Sequence, residues 1–296
     1  MTLRRSCFLV PGNNRDLIRD AVASPADCIV FDLEDSVPVS QKSSAREQVG
    51  EIIRNTDFGR RLVAVRINAI NTEFAPVDIR LIAAAAPHEI VIPKVKSADD
   101  VKIVERMIDA ALNNAQPQHS IGLQALIETA YAVEAVHEIS HASRRLTVLQ
   151  FGRADFFADI GAGKSFSMDD YWSVSLYPRS RIVVAATAAG LEPVDTVFPN
   201  IKDIDGLKED ARRAAGMGFR GKWVVHPSQV AIVNEIFTPT RDEIRHARKL
   251  VAAYDSSQMA GEGAITVDDM LVDKAAVTAA QKLKNVAEQL NLWNDT

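Results

Sequence analysis

The carboxylates of Asp32, Glu34, Asp35, Glu128 and Asp155 each stand at or just past the end of a short apolar run, and Arg66, Asn68, Lys94, Arg153, Asn200 and His226 stand at the ends of such runs too. Oxygen-rich side chains on separate segments, with few His or Cys among them, suit a hard cation such as Mg²⁺, which takes oxygen ligands and keeps waters for its substrate. A zinc site is not expected. His137 and His141 have metal-compatible spacing but fall in a predicted helix away from the run ends, and read as surface or packing residues. The stretch Ala158-Asp159-Ile160-Gly161-Ala162-Gly163-Lys164-Ser165 ends like a phosphate-binding loop. It carries Ala158 where that loop needs its first glycine, has no strand immediately before it, and reads as a loop after the sixth strand. No nucleophile elbow of the G-x-S-x-G type is present.

The elements that must position these groups follow from hydrophobic patterning. Apolar runs rich in β-branched residues occupy 6–10, 28–33, 62–67, 89–92, 122–127, 146–151, 193–198 and 222–225. Each is apolar almost throughout, as parallel strands covered on both faces are. Helical patterns fill the gaps at 15–23, 43–53, 75–86, 98–112, 131–141, 171–189, 205–217 and 228–236. Regular alternation of this kind predicts a (β/α)8 TIM barrel, with a doubly wound open sheet as the alternative. In such a barrel the chemistry sits at the C-terminal ends of the strands, which is where the polar residues fall. Residues 1–236 are read as the barrel. The remainder, 237–296, is read as a C-terminal helical extension, with helices at 239–254 and 274–290 and a small-residue loop at 256–264.

Composition narrows the function classes. The 34 Lys and Arg against 39 Asp and Glu give 34 − 39 = −5, so no basic excess draws the chain to nucleic acid. The two cysteines, Cys7 and Cys28, lie inside apolar runs and read as small buried hydrophobes in a reducing compartment. The apolar stretch after Arg4-Arg5 is broken at Pro11-Gly12, and no segment approaches the about 20 apolar residues of a membrane span. A cytoplasmic protein without membrane partners is expected.

Taken in order, Phe8-Leu9-Val10-Pro11-Gly12-Asn13-Asn14, Val30-Phe31-Asp32-Leu33-Glu34-Asp35-Ser36-Val37 with Lys42 and Arg46, Val65-Arg66-Ile67-Asn68, Ile92-Pro93-Lys94, Leu126-Ile127-Glu128-Thr129, Phe151-Gly152-Arg153-Ala154-Asp155-Phe156 and His226-Pro227-Ser228-Gln229 resemble the citrate lyase β-subunit-like branch of the HpcH/HpaI aldolase superfamily. The resemblance spans nearly the whole chain. It implies a Mg²⁺-dependent enzyme that cleaves or forms a carbon–carbon bond in a 3-hydroxyacyl thioester, with an acyl-CoA and a 2-oxo acid as partners. It implies Glu128 and Asp155 as metal ligands and Arg66 as the residue that grips substrate oxygens. Glu128, Asp32, Glu34 and the segment Gly152-Arg153-Ala154 are then placed around the substrate, Asp32 and Glu34 as outer partners of the inner groups.

The family also carries a C-terminal Asp acting as general acid/base, usually across a subunit boundary, and Asp273 is its match; this implies a homo-oligomer, a trimer or hexamer. Asp269 replaces the family's Gly there, and Lys274-Ala275 stands where Pro is common. Lys42 and Arg46, four residues apart on the second helix, are expected to meet coenzyme A phosphates or to form a solvated face.

Removing a hydroxyl proton and holding an enolate both build negative charge on oxygen, which suits a Lewis-acidic ion and a fixed Arg fork. A lyase acting on malyl-CoA or citramalyl-CoA, giving acetyl-CoA or a homologue with glyoxylate or pyruvate, is the leading expectation. A thioesterase, a citrate lyase subunit serving an acyl-carrier protein, and a barrel that only binds CoA are the alternatives.

Overall fold

The computed structural model describes residues 3–112, 119–162, 167–260, 265–267 and 270–294. Eight strands pair in sequence order, all parallel: β1 (Ser6–Pro11), β2 (Cys28–Asp32), β3 (Leu62–Arg66), β4 (Glu89–Ile92), β5 (Gly122–Ile127), β6 (Leu146–Phe151), β7 (Glu192–Asp195) and β8 (Gly221–Val224). β8 returns to β1, with Cys7 opposite Trp223, and closes the barrel. Closure removes the open sheet from consideration. β2, β3 and β4 are buried at every position. Their uninterrupted apolar runs, without alternation, follow from having protein on both faces.

The helices are α1 (Arg15–Ala23), α2 (Lys42–Asn55), α3 (Ala75–Ala85), α4 (Ala98–Leu112), α5 (Ala130–Glu134), α6 (Val136–Ser140), α7 (Arg153–Asp159), α8 (Met168–Ala189), α9 (Ile204–Met217) and α10 (Pro227–Ile236), followed by α11 (Arg241–Ala260) and α12 (Lys274–Gln289). Caps set their starts: Asn14, Thr129 and Asp203 each accept a backbone N–H from the first turn, and Ser167 with Asp170 forms a reciprocal capping box before α8.

Three expectations change. The helix read over 131–141 breaks at Ala135 into α5 and α6. The loop read over 256–264 is helical as far as Ala260, with the hydroxyls of Ser256 and Ser257 donating back to the carbonyls of Ala252 and Tyr254. Within its remainder, 261–264 lie outside the described residues. α7, which the patterning does not announce, occupies the start of the stretch resembling a phosphate loop, so a helix rather than a strand precedes Ile160; residues 163–166 lie outside the described residues.

The interior of the barrel is filled by Cys7, Cys28, Val30, Leu62, Ala64, Val91, Val148, Val194 and Trp223. Both thiols are free and buried. Near the N-terminal ends of the strands Arg4 forks onto Glu89 at 2.5 and 2.6 Å and reaches Glu192 at 2.6 Å, while Gln124 and Thr147 complete the Glu89 oxygens.

The chain falls into two compact units, Arg4–Asn234 and Glu235–Thr296 with Met1–Leu3. In the second, α11 packs on α12 through Ala247, Leu250, Val251, Val277 and Ala280, with Val272 and a short antiparallel hairpin of β9 (Ile265–Val267) and β10 (Met270–Val272). No described helix is long and apolar enough to cross a membrane.

Candidate active site

Strand register does the first positioning. Asp32 ends β2 and Arg66 ends β3 directly opposite it. Arg66 donates from Nε to Asp32 Oδ1 at 2.6 Å and from Nη2 to Oδ2 at 2.7 Å, a bidentate pair. Asp32 also accepts the backbone N–H groups of Glu34 at 2.9 Å and Ser36 at 3.1 Å, and the Ser36 hydroxyl. Burial opposes the Asp32 charge, but Arg66 and these donors hold its carboxyl below the usual range.

Arg66 Nη1 lies 3.3 Å from Glu34 Oε2, and Lys94 Nζ lies 2.7 Å from Glu34 Oε1 and 3.0 Å from Asp35 Oδ2. Burial pushes the Glu34 carboxyl up, and the two cations offset only part of that.

Glu128 follows β5 and is 2% exposed. Its Oε1 accepts the Lys94 backbone N–H at 2.6 Å. Lys94 holds a left-handed backbone with φ 52°, a conformation that costs a non-glycine residue about 1–2 kcal/mol. Gly152, which follows β6, lies so close that a Cβ there would stand 2.5 Å from Glu128 Oε2; only glycine leaves room for the carboxylate. Burial raises the Glu128 carboxyl well above its ordinary range, and the charge of Asp155, in the first turn of α7, raises it further.

A buried carboxylate pushed up by a neighbouring carboxylate is what a site prepared for a cation shows before the cation is counted. The donors are hard oxygens, and no group of three His, Cys, Asp or Glu is clustered for a metal among the described residues. Two protein ligands with the rest water and substrate is the usual provision for Mg²⁺, so the pair fits the ion.

Beside this centre, the loops after β1 and β2 border a polar groove of about 630 Å³, lined by Asn13, Asn14, Ser36, Pro38 and Gln48 among others. Gly12 lets the first loop approach, donating to the Asp32 carbonyl at 2.8 Å, where a Cβ would collide with that oxygen.

Other predicted site residues are placed differently. Lys42 is buried and donates to the carbonyls of Leu33 and Glu34, both at 2.9 Å. Arg46 is buried and donates to Asp78 at 2.6 Å, while Asp78 also accepts from Asn68. Neither lies on a solvated helix face. Their charged groups meet the loop after β2 and α3, which corrects the reading of a solvated face, because inward-facing cations cannot stay unpaired.

Arg153 is also turned to the protein: its guanidinium stacks on Tyr171 at 3.7 Å, and burial lowers its pKa to about 10. Ala154 is exposed and Gly152 half-buried. His137 and His141 are exposed, as expected, with rings 4.8 Å apart.

Asp273 belongs to the C-terminal unit, where its exposed carboxylate accepts the Ala276 N–H at 2.8 Å and caps α12. Asp269 lies outside the described residues.

The sequence did not reveal the Lys94 backbone, since nothing in Pro93-Lys94 announces a positive φ. Nor did it reveal Ser36, although its spacing from Asp32 is that of a side chain able to reach back in a turn.

The family model described as HpcH/HpaI aldolase/citrate lyase matches residues 5–227. The citrate lyase subunit beta of Leuconostoc mesenteroides subsp. cremoris is 35% identical over 98% of this chain and 95% of its own length. An L-malyl-CoA/beta-methylmalyl-CoA lyase of Cereibacter sphaeroides is 35% identical over 95% of this chain and 93% of its own. Among solved structures, the protein CitE of Mycobacterium tuberculosis in complex with magnesium, acetoacetate and coenzyme A superposes with a TM-score of 0.78, at 29% identity, over 97% of this chain and 98% of that one.

Proposed function

The chain belongs to the HpcH/HpaI aldolase/citrate lyase family, and from that membership we propose that it is a Mg²⁺-dependent carbon–carbon lyase that cleaves, or forms, a 3-hydroxyacyl-CoA such as malyl-CoA or citramalyl-CoA, with acetyl-CoA or a homologue and a 2-oxo acid on the other side of the reaction. The observation that carries this reading is the Glu128 carboxylate, buried and pushed up beside Asp155, next to an Arg66 fork fixed by Asp32.

Cleavage requires the substrate hydroxyl to lose its proton while the bond to the thioester α-carbon breaks and an enolate forms. Glu128 and Asp155 hold the Mg²⁺, which when bound supplies Lewis acidity toward the hydroxyl and its neighbouring carboxylate. Arg66 is pre-aimed by Asp32 and Glu34 and so pays no reorganisation when charge builds on a carboxylate or enolate oxygen. Lys94, with Glu34 and Asp35, closes one flank of that charge cluster. The thioester arm lies in the groove between the loops after β1 and β2. Asp273 takes up the hydroxyl proton as a carboxylate and then gives it to the α-carbon as the acid, with the two transfers reversed in condensation, as a positioned carboxylate can. The enzyme works in the cytoplasm as a homo-oligomer, a trimer or hexamer in which Asp273 serves a neighbouring subunit.

The citrate lyase subunit among the relatives favours one second reading, action on a thioester carried by an acyl-carrier protein. Purified protein with Mg²⁺ is to be offered malyl-CoA, β-methylmalyl-CoA and citramalyl-CoA while oxo acid and free CoA are followed. Release of oxo acid is expected. Survival of all three thioesters sinks the acyl-CoA lyase, free CoA without oxo acid points to a thioesterase, and turnover of a carrier-bound substrate alone selects the second reading.

A further inference from the structure

Glu128 is held from two sides that differ in kind. A Cβ-free backbone at Gly152 leaves space against Oε2, while the peptide N–H of Lys94 occupies Oε1 at 2.6 Å; that hydrogen bond is the one Glu128 makes among the described residues. Lys94 stands two residues past β4, and with φ 52° it lies in the left-handed region that favours glycine, although it is a long-chain residue. Its ammonium is engaged elsewhere, at 2.7 Å from Glu34 and 3.0 Å from Asp35, on the loop after β2.

We propose that Lys94 is a positioning residue whose left-handed backbone, not its ammonium charge, fixes Glu128 as a one-oxygen ligand, with Oε1 bound to the peptide and Oε2 left for the cation. The ammonium's grip on Glu34 and Asp35 then has a structural purpose, tethering a turn that a lysine would otherwise leave. The proposal rests on Glu128 being a metal ligand. It explains why a residue so poorly suited to this backbone occupies it: the side chain offsets, through its ion pairs, the conformational cost that places the N–H.

The test uses the full chain without substrate and Mn²⁺ as the probe, titrated by calorimetry or by the electron paramagnetic resonance of the free ion. Variants Lys94→Gly, Lys94→Ala and Lys94→Val all lose the ammonium but differ in how easily they turn left-handed. Lys94→Gly is expected to keep Mn²⁺ affinity within about threefold, Lys94→Ala to fall between, and Lys94→Val to lose about tenfold or more, the range found when outer partners of metal ligands are removed. If Lys94→Val melts too low to assay, the ordering of Gly over Ala decides. Equal affinities across the neutral variants, whether all kept or all lost, overturn the backbone assignment. Wild-type protein whose Mn²⁺ uptake is absent, or indifferent to Glu128→Gln, removes the metal reading and this proposal with it, a result distinct from equal affinities among the variants.

Discussion

Arg66 and Asp32 end adjacent strands at the same register position and meet through two hydrogen bonds of 2.6 and 2.7 Å, with the carboxylate wholly buried and the guanidinium nearly so. The barrel itself, not a surface rotamer, sets this pair. Asp32→Ala leaves a buried guanidinium without its main partner, and the expected loss is about 3–5 kcal/mol of unfolding free energy, with turnover falling because the fork is no longer aimed. Urea unfolding measures the first and a thioester assay the second; a loss below about 1 kcal/mol contradicts the assignment.

Glu128 illustrates the opposite sign. Its charge is unfavourable in the metal-free protein, because burial and Asp155 both raise its carboxyl. Glu128→Gln keeps an acceptor for the Lys94 N–H and removes that charge. The variant is expected to gain about 1 kcal/mol without metal while losing Mn²⁺ binding and activity together, the trade that functional sites commonly show. Thermal melting in chelator and in excess metal would separate the two effects.

Asp195 gives the pH dependence. It is fully buried, and although burial opposes its charge, Arg179 at 2.9 Å and Lys222 at 2.7 Å hold its carboxyl far below the ordinary range. The unfolded chain therefore takes up this proton first as pH falls, so the stabilisation is complete above about pH 4 and drains away below it. Asp32 acts in the same direction. Urea midpoints should fall from about pH 4 toward pH 2 in the wild type, and Asp195→Asn should be less stable at neutral pH with a shallower acid slope. Identical slopes would refute the attribution.

Lys42 and Arg46 should behave as structural residues. Arg46→Ala strands Asp78, which is fully buried, and is expected to cost about 3 kcal/mol, while Lys42→Met should destabilise by about 1–2 kcal/mol through the two carbonyls it leaves. Apparent affinity for an acyl-CoA should stay put in whatever fraction remains folded. A large affinity loss at unchanged stability would restore the phosphate contact.

Asp273 has a local role that must be separated from any chemistry. As the cap of α12 it is worth about 1 kcal/mol, which Asp273→Ala should lose and Asp273→Ser should largely keep. If the carboxylate also moves a proton, both variants lose turnover; recovery of activity in Asp273→Ser would reduce Asp273 to a cap.

The barrel was legible because parallel strands covered on both faces write themselves as unbroken apolar runs, and the run at 89–92 coincides with β4 to the residue. The polar residues at the run ends were legible for the same reason: Asp32, Arg66 and Glu128 stand where an apolar run stops. What they do to one another was not. Whether Lys42 faces water or the carbonyl of Leu33 depends on the path of a loop, and the sequence shows only a lysine on a helix. α7, with seven residues, and strands as short as β9 and β10, with three each, are too brief to display a period. The Lys94 turn leaves no trace because a positive φ at a non-glycine residue persists only where the surrounding structure imposes it.

The junction of β1 and β8 is close enough that a Cβ on Gly221 would collide with the Arg4 carbonyl. Ribosomes deliver β1 first and β8 last, so until 221–224 emerge the nascent sheet has two open edges, each able to recruit a strand from another chain. Bulk at position 221 would hold that gap open in every newly made molecule. Its signature would be a low yield of material from cells rather than a slow catalyst, with the few molecules that do close turning over normally.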